Sequence, residues 1–331
     1  MSRSKPTAAN LTLVAQAAGV SIATASRVLN GIGGKASEAT AAKVQAAAAR
    51  HGYRPVAAAR DLRRGRSAFV AVLAPNLANP TMAAYFAAIE AAIGADGSRL
   101  VLLDTHDEAG AQDRAIADAC ALAPRGIVFL GAVASPGLAV LLREEEGVLL
   151  VGRRPPGAAG VGFVGLDDRA AGAEVARLFL AAGAERLGLV HGPLFSTATA
   201  DRVAGFRDAA GAALDRSDIH TAAGLDHLAI GAAAGRAMLR KRVPEAVMCT
   251  SDLLAYGLHR SLADAGVAIP RLCGFDGGPL NPWLAPWLAS IAVPYGAVGD
   301  AVRDWLQRPG PGAWTRILPH VLRPASPPVA Q

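Results

Sequence analysis

Short apolar runs alternate with amphipathic stretches over most of this chain. Eight mainly apolar runs of four to six residues have the length of buried β-strands, and apolar residues recur at helical spacing between them. The predicted strands are Phe69–Ala74, Arg99–Asp104, Gly126–Leu130, Val148–Val151, Leu187–His191, Ile219–Ala222, Ala246–Thr250 and Leu272–Phe275. The predicted helices lie near residues 81–95, 109–122, 136–145, 169–182, 200–214, 228–241 and 252–265. Such alternation favours parallel sheets, so we expect two doubly wound α/β lobes with a ligand cleft between them.

The first fifty residues follow a different, purely helical pattern. Asn10 and Ser21 can cap two short helices, and Gly19 between them supplies the left-handed backbone that a tight turn requires. The predicted inward residues are Leu11, Val14, Ala15, Ala18, Ala25, Val28 and Leu29, and a third helix runs from Ser37 to about Gly52. Two short helices joined by such a turn form a helix-turn-helix unit. A three-helix cap without a role in DNA binding is the alternative.

The second helix of such a unit enters the major groove of DNA with its first turn leading. The side chains predicted to face DNA are Ser21, Ile22, Ala23, Thr24, Ser26, Arg27 and Asn30. Ile22 and Ala23 can make only apolar contacts, for instance with a thymine methyl group, whereas Arg27 can reach a guanine edge or a phosphate.

The distribution of charge supports a polyanionic partner for this head. Residues 1–66 contain eleven lysine and arginine residues but only two acidic ones, Glu38 and Asp61, which gives them a net charge of +9. The rest of the chain carries −3, within a total of +6. A basic surface that is merely solvated is the weaker interpretation, because the positive charge is so concentrated.

Composition and motifs argue against several other classes of protein. The chain is 52% hydrophobic and 18% charged, yet no apolar run is long enough to cross a bilayer, and the polar, basic N-terminus does not resemble a secretory signal. Its three cysteines lack zinc-site spacing, and no phosphate loop, dinucleotide fingerprint or nucleophile elbow is present. We therefore expect a cytoplasmic binding protein that is not an enzyme, needs no cofactor or metal and does not associate with membranes.

The head resembles the lactose-repressor (LacI/GalR-type) family of transcriptional regulators. The resemblance is carried by Ala15-Gln16-Ala17-Ala18-Gly19-Val20-Ser21-Ile22-Ala23-Thr24-Ala25-Ser26-Arg27-Val28-Leu29-Asn30-Gly31 and by a hinge-like segment that begins Tyr53-Arg54-Pro55 and continues through Arg60, Leu62 and Gly65. It implies that Tyr53, Arg54 and Arg60 contact DNA and that Leu62 wedges into the minor groove, although Leu62 is alternatively a dimer-packing residue. Leu13, Val56 and Asp61 depart from the family pattern.

The remaining chain resembles the effector domain of the same family, which is related to periplasmic sugar-binding proteins. The landmarks are Asn79-Pro80, Val164-Gly165-Leu166-Asp167-Asp168, Gly192-Pro193, Arg202-Val203-Ala204-Gly205-Phe206, Ser251-Asp252-Leu253-Leu254-Ala255-Tyr256-Gly257 and Gly274-Phe275-Asp276. The resemblance implies that Arg202 and Asp276 contact the effector and that Asn79, Ser251 and Tyr295 line its site. Asp252 is interpreted as a charge at a helix N-terminus.

Several positions in the implied pocket differ from the family. Gly152 stands where an acid is often found, Ser251 replaces a common asparagine and Val293 replaces a polar residue. Because Arg153, Arg154 and Arg202 lie nearby in the pattern, an anionic effector such as a sugar acid is favoured over a neutral sugar. Arg153 and Arg154 are exposed loop charges in the alternative interpretation.

The resemblance implies a repressor whose affinity for operator DNA is controlled by a small effector. The expected domains are a helix-turn-helix head at 1–54, a hinge helix and linker at 55–67, and an effector-binding and dimerisation body at 68–331. A homodimer is expected, since the C-terminal stretch lacks leucine heptads for a tetramer. The alternatives are a solute-binding protein of the periplasmic type and a sugar-metabolising enzyme fused to a DNA-binding head.

Overall fold

The chain divides into two compact units, Met1–Ser67 and Ala68–Gln331. The computed structural model describes residues 10–29, 36–53, 68–143, 147–158, 160–221, 224–308 and 314–325. We call the first unit the head and the second the body, and each is considered by itself.

The head contains the three predicted helices, α1 (Leu11–Ala18), α2 (Ile22–Leu29) and α3 (Glu38–Arg50). Capping fixes where they begin: Asn10 Oδ1 accepts a hydrogen bond from Leu13 N at 2.9 Å, and Ser21 Oγ accepts one from Thr24 N at 3.1 Å. Gly19 ends α1 in the left-handed conformation, with φ at 65°. The small core that the helices share consists of Val14, Ala15, Ala25, Val44, Ala47 and Ala48.

Helices α1 and α2 meet at 102° across the turn at Gly19, which is the geometry of a helix-turn-helix. In the described part of the chain, no single helix is long and apolar enough to cross a membrane. Only α1 and α2 taken together, across this sharp bend, have the required length and composition.

The first half of the body contains the predicted alternation of strands and helices. Its elements are β1 (Phe69–Ala74), α4 (Pro80–Ile93), β2 (Arg99–Asp104), α5 (Ala109–Ala121), β3 (Ile127–Phe129), α6 (Pro136–Arg143), β4 (Val148–Val151) and β5 (Gly162–Leu166). Strand β5 was not among the predicted strands, and the others match the predictions within two residues at each end.

The second half repeats this plan and then departs from it. The elements are α7 (Asp168–Ala181), β6 (Leu187–His191), α8 (Thr197–Ala210), β7 (Leu214–Thr221), α9 (His227–Leu239), β8 (Ala246–Cys249), α10 (Asp252–Asp264), β9 (Arg271–Asp276), α11 (Asn281–Leu284), β10 (Ala289–Ala292), α12 (Tyr295–Leu306), β11 (Thr315–Leu318) and β12 (Val321–Arg323). Strand β7 begins five residues before its predicted start. The elements from α11 onward were not predicted.

These strands form two six-stranded sheets, which confirms the prediction of two doubly wound lobes. The sheet of lobe 1 has the order β11-β5-β4-β3-β1-β2, and the sheet of lobe 2 has the order β12-β10-β9-β8-β6-β7. All neighbouring strands are parallel except β10 and β12. The chain passes between the lobes after β5, after β10 and between β11 and β12, so both lobes are built from discontinuous segments.

Both faces of each sheet are buried, which explains the nearly continuous apolar runs of the strands. In β1, Val70 and Val72 point to the face covered by α4 and α12, while Ala71 and Leu73 point to the face covered by α5 and α6. Lobe 2 is layered in the same way, with α7 and α8 on one face and α9 and α10 on the other. Parallel strands direct their carboxyl ends to one edge of a sheet, which places the turns after β1, β4, β8 and β9 where a ligand site is expected.

Candidate functional site

The exposed face of α2 carries most of the predicted DNA contacts that the structure describes. Ile22 retains 50% of its surface, and Ala23 and Arg27 are also exposed. Ser21 is exposed as well, but its Oγ caps α2 and lies 2.9 Å from Thr24 Oγ1. Both hydroxyl groups are therefore engaged with each other.

Ser26 departs from the prediction that it faces outward. Only 7% of its surface is exposed, because it follows Ala25 on the side of α2 that turns toward the head core. Tyr53 packs against that same core and is half-buried. Asn30, Arg54, Arg60 and Leu62, together with the predicted hinge at 55–67, lie outside the described residues.

In the body, Arg202 is held in an ion pair across two closely packed helices. Its Nε donates to Asp168 Oδ1 at 2.7 Å and its Nη1 donates to the Thr250 carbonyl at 3.0 Å, while the guanidinium lies 4.5 Å from the centre of the Phe275 ring. Glycine makes this approach of α7 and α8 possible: a Cβ atom on Gly172 would lie 2.1 Å from the Arg202 carbonyl oxygen. Burial works to lower the pKa of Arg202, but Asp168 and Asp276 outweigh it and raise that pKa, so Arg202 remains a cation.

Asp276, at the end of β9, forms no ion pair with the described residues. Burial, followed by the charge of Asp252, raises the pKa of Asp276 to about 7, although Arg202 and a hydrogen bond from Thr81 act in the opposite direction. Its backbone φ of 103° is a left-handed value that few side chains adopt, although aspartate tolerates it better than most.

Helix α4 supplies the wall that faces Asp276. Asn79 Oδ1 caps this helix by accepting from Thr81 N at 3.0 Å, so Asn79 orients the first turn. One helical turn apart, Thr81 is buried and Tyr85 is half-buried near Asp276. Tyr295 donates from its hydroxyl to the Asp276 carbonyl at 2.9 Å, and its ring meets Tyr85 edge to face at 5.0 Å. Sequence analysis missed Thr81 and Tyr85, although their i, i+4 spacing in an alanine-rich helix was a usable signal.

Ser251 and Asp252 close the site from lobe 2. Ser251 Oγ caps α10 and lies 2.9 Å from His227 Nδ1, which makes His227 a third residue that sequence analysis missed. Asp252 accepts hydrogen bonds from Gly278 N at 2.8 Å, Asn281 Nδ2 at 2.9 Å and Ser290 Oγ at 2.7 Å. Asp252 lies in the first turn of α10, and its buried carboxylate ties that turn to the segment after β9, to α11 and to β10.

The two arginines after β4 already have partners within lobe 1, although the buried Nε atom of each has no hydrogen-bond partner. Arg153 is 8% exposed and forms an ion pair with Asp107, and it also donates to the Gly131 carbonyl at 2.7 Å. The guanidinium of Arg154 lies 4.2 Å from the centre of the Phe163 ring and donates to Thr315 Oγ1 at 3.2 Å, both within lobe 1. The alternative that both are exposed loop charges is wrong for Arg153, because the Asp107 carboxylate compensates its charge and allows it to be buried.

A hydrogen bond from a backbone amide to a side-chain hydroxyl joins the two lobes beside this region. The Arg154 amide donates to Thr197 Oγ1 of α8 at 3.1 Å, and the Arg153 guanidinium lies 5.8 Å from the centre of the Phe195 ring. In the described ranges, no cluster of three or more histidine, cysteine or acidic side chains is arranged to hold a metal ion. The chemistry that the region offers is hydrogen bonding and charge.

Two models of protein families match this chain. The model described as "Bacterial regulatory proteins, lacI family" matches residues 10–56, and the model described as "Periplasmic binding proteins and sugar binding domain of LacI family" matches residues 67–275. The HTH-type transcriptional regulator reg1 of Streptomyces lividans is 30% identical over 322 residues, which cover 90% of this chain and 89% of that protein.

Solved structures of the same fold extend along nearly the whole chain. A LacI-family transcriptional regulator from Silicibacter pomeroyi has a TM-score of 0.82 at 25% identity, covering 96% of this chain and 99% of that one. The Lac repressor dimer bound to operator and the anti-inducer ONPF has a TM-score of 0.77 at 21% identity, covering 96% and 98% of the two chains.

Proposed function

This chain belongs to the LacI family of bacterial regulatory proteins, and from that membership we propose that it represses transcription by binding operator DNA under the control of a small effector. It is a DNA-binding transcriptional regulator with a helix-turn-helix head and a body of the periplasmic-binding-protein type. The observation that carries the proposal is the joining of a head of net charge +9 to a two-lobed body with buried polar side chains.

A gel-shift titration tests the DNA-binding step directly. The full chain is titrated against duplex DNA from upstream of its own gene, with a scrambled duplex of equal length as the competitor. Specific binding is expected to weaken steeply as salt rises, because arginines that neutralise phosphates release bound counterions. Equal affinity for the scrambled duplex at all salt concentrations would contradict sequence-specific regulation.

We place the effector site between the lobes, at Asn79, Arg202, Ser251, Asp276 and Tyr295. Each of these residues already makes a hydrogen bond through its side chain within the protein, and for Asp276 the partner is Thr81. An effector that binds here therefore replaces some of these hydrogen bonds within the protein by hydrogen bonds to itself. This replacement couples ligand binding to the arrangement of the lobes. Population shift between lobe arrangements then changes the affinity for operator DNA.

The balance of charge in this region favours a neutral or cationic effector over the sugar acid expected from sequence. Asp168 compensates Arg202, and Asp107 compensates Arg153. Asp276 has no such partner, and Asp252 is satisfied by uncharged donors. An entering anion would meet a carboxylate that is already repelled by Asp252, whereas hydroxyl or ammonium donors would stabilise it.

A thermal-shift panel distinguishes these ligand classes. Each aldose is tested with its uronic acid and its 2-amino derivative at pH 7.5, so that shape is held nearly constant while charge changes. We expect the melting temperature to rise with the neutral or amino member of one set and not with its acid. Stabilisation by uronic acids alone would refute the preference for a neutral or cationic effector, but it would not contradict the proposal that the protein binds operator DNA.

The body also offers a surface for a second copy. Leu280, Trp283 and Leu284 are 48%, 83% and 71% exposed, respectively, around the short helix α11. Adjacent apolar side chains with this exposure mark an interaction surface in a water-soluble protein. The Lac repressor is solved as a dimer on its operator. We propose that α11 lies in the interface of a homodimer, which would set the spacing of two heads over a pseudo-palindromic site.

The matched relatives are regulators, which agrees with a protein that binds rather than catalyses. We propose that the chain has no enzymatic activity and acts in the cytoplasm, where operator DNA is found. Any effector that the thermal-shift panel identifies is incubated with the protein and analysed by mass spectrometry. Its chemical conversion would reveal an enzyme fused to a DNA-binding head.

A further inference from the structure

We infer that the body carries a second subsite for its effector, an aromatic slot formed by Arg153 of lobe 1 and by Phe195 and His227 of lobe 2, and that this slot takes a planar aromatic ring. The effector then joins such a ring to the hydroxylated part that reaches Asp276. The inference rests on the proposed effector site and deepens it, because it names the class of molecule that fills both parts.

Phe195 is an aromatic side chain left in contact with water at the edge of the cleft. It lies four residues after the end of β6, on the turn that leads into α8, and 58% of its surface is exposed. Its neighbour Leu194 is 52% exposed. Parallel strands direct such turns to the carboxyl edge of the sheet, where ligands bind. Two large apolar side chains of this turn are therefore available to a ligand.

The guanidinium of Arg153 faces the Phe195 ring from the other lobe. Its Cζ atom lies over the ring at 5.8 Å from the ring centre, whereas the two tightest arginine–aromatic pairs of the body, each within one lobe, are at 4.2 Å and 4.5 Å. A flat ring stacked between the two groups needs two van der Waals contacts of about 3.5 Å, or about 7 Å in all. Because the Phe195 side chain is exposed, its rotation can supply the missing distance of about 1 Å.

Arg153 is fixed in place and still has one donor to offer. Asp107 compensates its charge, and only 9% of the Arg153 side chain is exposed. Asp107 and its neighbour His106 have left-handed φ values of 54° and 51°, a strain that is typical of functional sites. In the described ranges, the buried Nε of Arg153 has no hydrogen-bond partner. Because an unpaired buried donor is unfavourable, an acceptor atom of a ligand at this Nε would stabilise the complex.

His227, at the start of α9, is the polar side chain of the slot on lobe 2. Its Nδ1 lies 2.9 Å from Ser251 Oγ, and its Nε2 forms no hydrogen bond with the described residues. A Cβ atom on Gly192 would lie 3.3 Å from this Nε2, so the glycine keeps the space in front of it free of a side chain. Burial, opposed by the charges of Asp107 and Asp226, lowers the pKa of His227. The imidazole is therefore neutral at pH 7.5, and a ring nitrogen is available to a heteroatom of the ligand.

The slot favours an aromatic ring over a saturated ring and over a free anion. A guanidinium attracts the face of an aromatic ring through the cation–π interaction, which a saturated ring cannot make. The phenyl group of Phe195 adds a stacking contact on the other face. A free anion would meet Asp107, whose carboxylate already neutralises Arg153.

The slot adjoins the proposed effector site in both lobes. In lobe 2, His227 contacts Ser251, which belongs to that site. In lobe 1, Gly152 precedes Arg153, and a Cβ atom on Gly152 would lie 4.0 Å from the hydroxyl of Tyr85, the residue near Asp276. No side chain at position 152 separates the two parts, so one ligand can fill both.

Isothermal titration calorimetry of the full chain tests the ring with matched pairs of ligands. In one arm, the phenyl β-glycosides of glucose, galactose and mannose are compared with the cyclohexyl β-glycosides and the parent aldoses. In the other arm, uridine is compared with dihydrouridine, whose base is not aromatic. Both arms are used because aryl glycosides and nucleosides alike join a planar ring to a sugar. In at least one pair the aromatic member should bind about fivefold more tightly than its saturated counterpart, the effect of one cation–π contact.

Phe195→Leu tests whether this residue makes the contact, because leucine keeps an apolar side chain but removes the aromatic face. The variant should lose the difference between aromatic and saturated ligands and keep the affinity for the parent aldose. Phe195→Tyr should retain the difference. Leu194→Ala is the matched control, since Leu194 is the neighbouring and similarly exposed side chain, and it should also retain the difference.

Two results would overturn the inference while leaving an effector site that binds sugars intact. They are equal affinity for the aromatic and saturated members of every pair, and a difference that survives Phe195→Leu. Absence of binding by every member of the panel would overturn the proposed effector site and the inference with it. The gel-shift titration judges DNA binding independently of all three outcomes.

Discussion

Replacing Asp276 with asparagine tests the electrostatics of the body without an effector. The pKa of this carboxyl is raised from 3.8 to about 7, mainly by burial and by the charge of Asp252. Asparagine has nearly the same shape, tolerates the left-handed φ of 103° and cannot ionise. The substitution therefore removes the titration while keeping the backbone and the packing.

The direction of the effect follows from proton linkage. Between pH 3.8 and about 7 the folded state keeps a proton on Asp276 that the unfolded state releases, so stability falls as pH rises through this window. The penalty is fully developed above pH 7. Since a tenfold change in acidity is worth about 1.4 kcal/mol, the upper bound for this penalty is about 4 kcal/mol.

The assay is urea unfolding of the wild type and Asp276→Asn from pH 4 to pH 8.5. All four tryptophans follow residue 282, so their fluorescence reports the body alone. The stability of the variant relative to the wild type should increase through the window and level off above it. Titrating groups that do not interact with Asp276 contribute to both proteins alike. A difference that is the same at every pH would refute the argument that Asp276 carries an unfavourable charge.

Three further substitutions test the packing of the site and the surfaces of the two units. Asp168→Asn should destabilise the body by about 3 kcal/mol in urea unfolding, because it leaves the buried guanidinium of Arg202 without its carboxylate; an unchanged midpoint would show that the ion pair is unimportant. Trp283→Asp should convert dimers to monomers in light scattering after size exclusion without altering the circular dichroism spectrum, and persistence of the dimer would place the interface elsewhere. Gly19→Ala puts a methyl group at φ 65° and should speed hydrogen exchange in the head by a factor corresponding to about 1 kcal/mol, whereas Gly94→Ala, at φ −62°, should have little effect on exchange in the body.

The regular part of the fold was predictable because its signals are local. The run Phe69–Ala74 is apolar at every position, and the structure buries it between two layers of helices. Asn10, Gly19 and Ser21 set the ends of helices through contacts within four residues. Such features depend on neighbours in sequence and can be recognised without knowing the tertiary structure.

The end of the body was missed because it breaks the alternation on which the prediction relied. Strand β11 is an edge strand with three exposed residues, and it runs into β12 without an intervening helix. Strand β10 lies beside both β9 and β12, one parallel and one antiparallel. β10 and β12 pair within lobe 2 although the chain passes through lobe 1 between them, so their pairing depends on chain crossings that periodicity does not encode.

The candidate effector residues were identified by resemblance, but their chemical state depends on contacts distant in sequence. The sequence around Arg202 does not indicate that its Nε donates a hydrogen bond to Asp168, which lies thirty-four residues earlier. The same holds for Arg153, which Asp107 compensates from another loop. Counting arginines in sequence therefore overestimated the positive charge available to a ligand, and the preference for an anionic effector followed from that count.

These pairings bear on how an effector can act in the proposed mechanism. A ligand shifts the equilibrium between two lobe arrangements only if it binds one of them more tightly than the other. It therefore needs a contact whose interaction energy differs between the two arrangements. The charges of Arg202 and Arg153 are already compensated within the protein by Asp168 and Asp107, although the buried Nε of Arg153 has no hydrogen-bond partner. Asp276 has the most to gain, because its charge is buried beside Asp252 without an ion pair and becomes more costly as the site is closed to water. Hydroxyl or ammonium donors that reach Asp276 would relieve that cost most in the closed arrangement. Effector binding and lobe closure are then coupled through one carboxylate, and Asp276→Asn should weaken that coupling even though it stabilises the unliganded body.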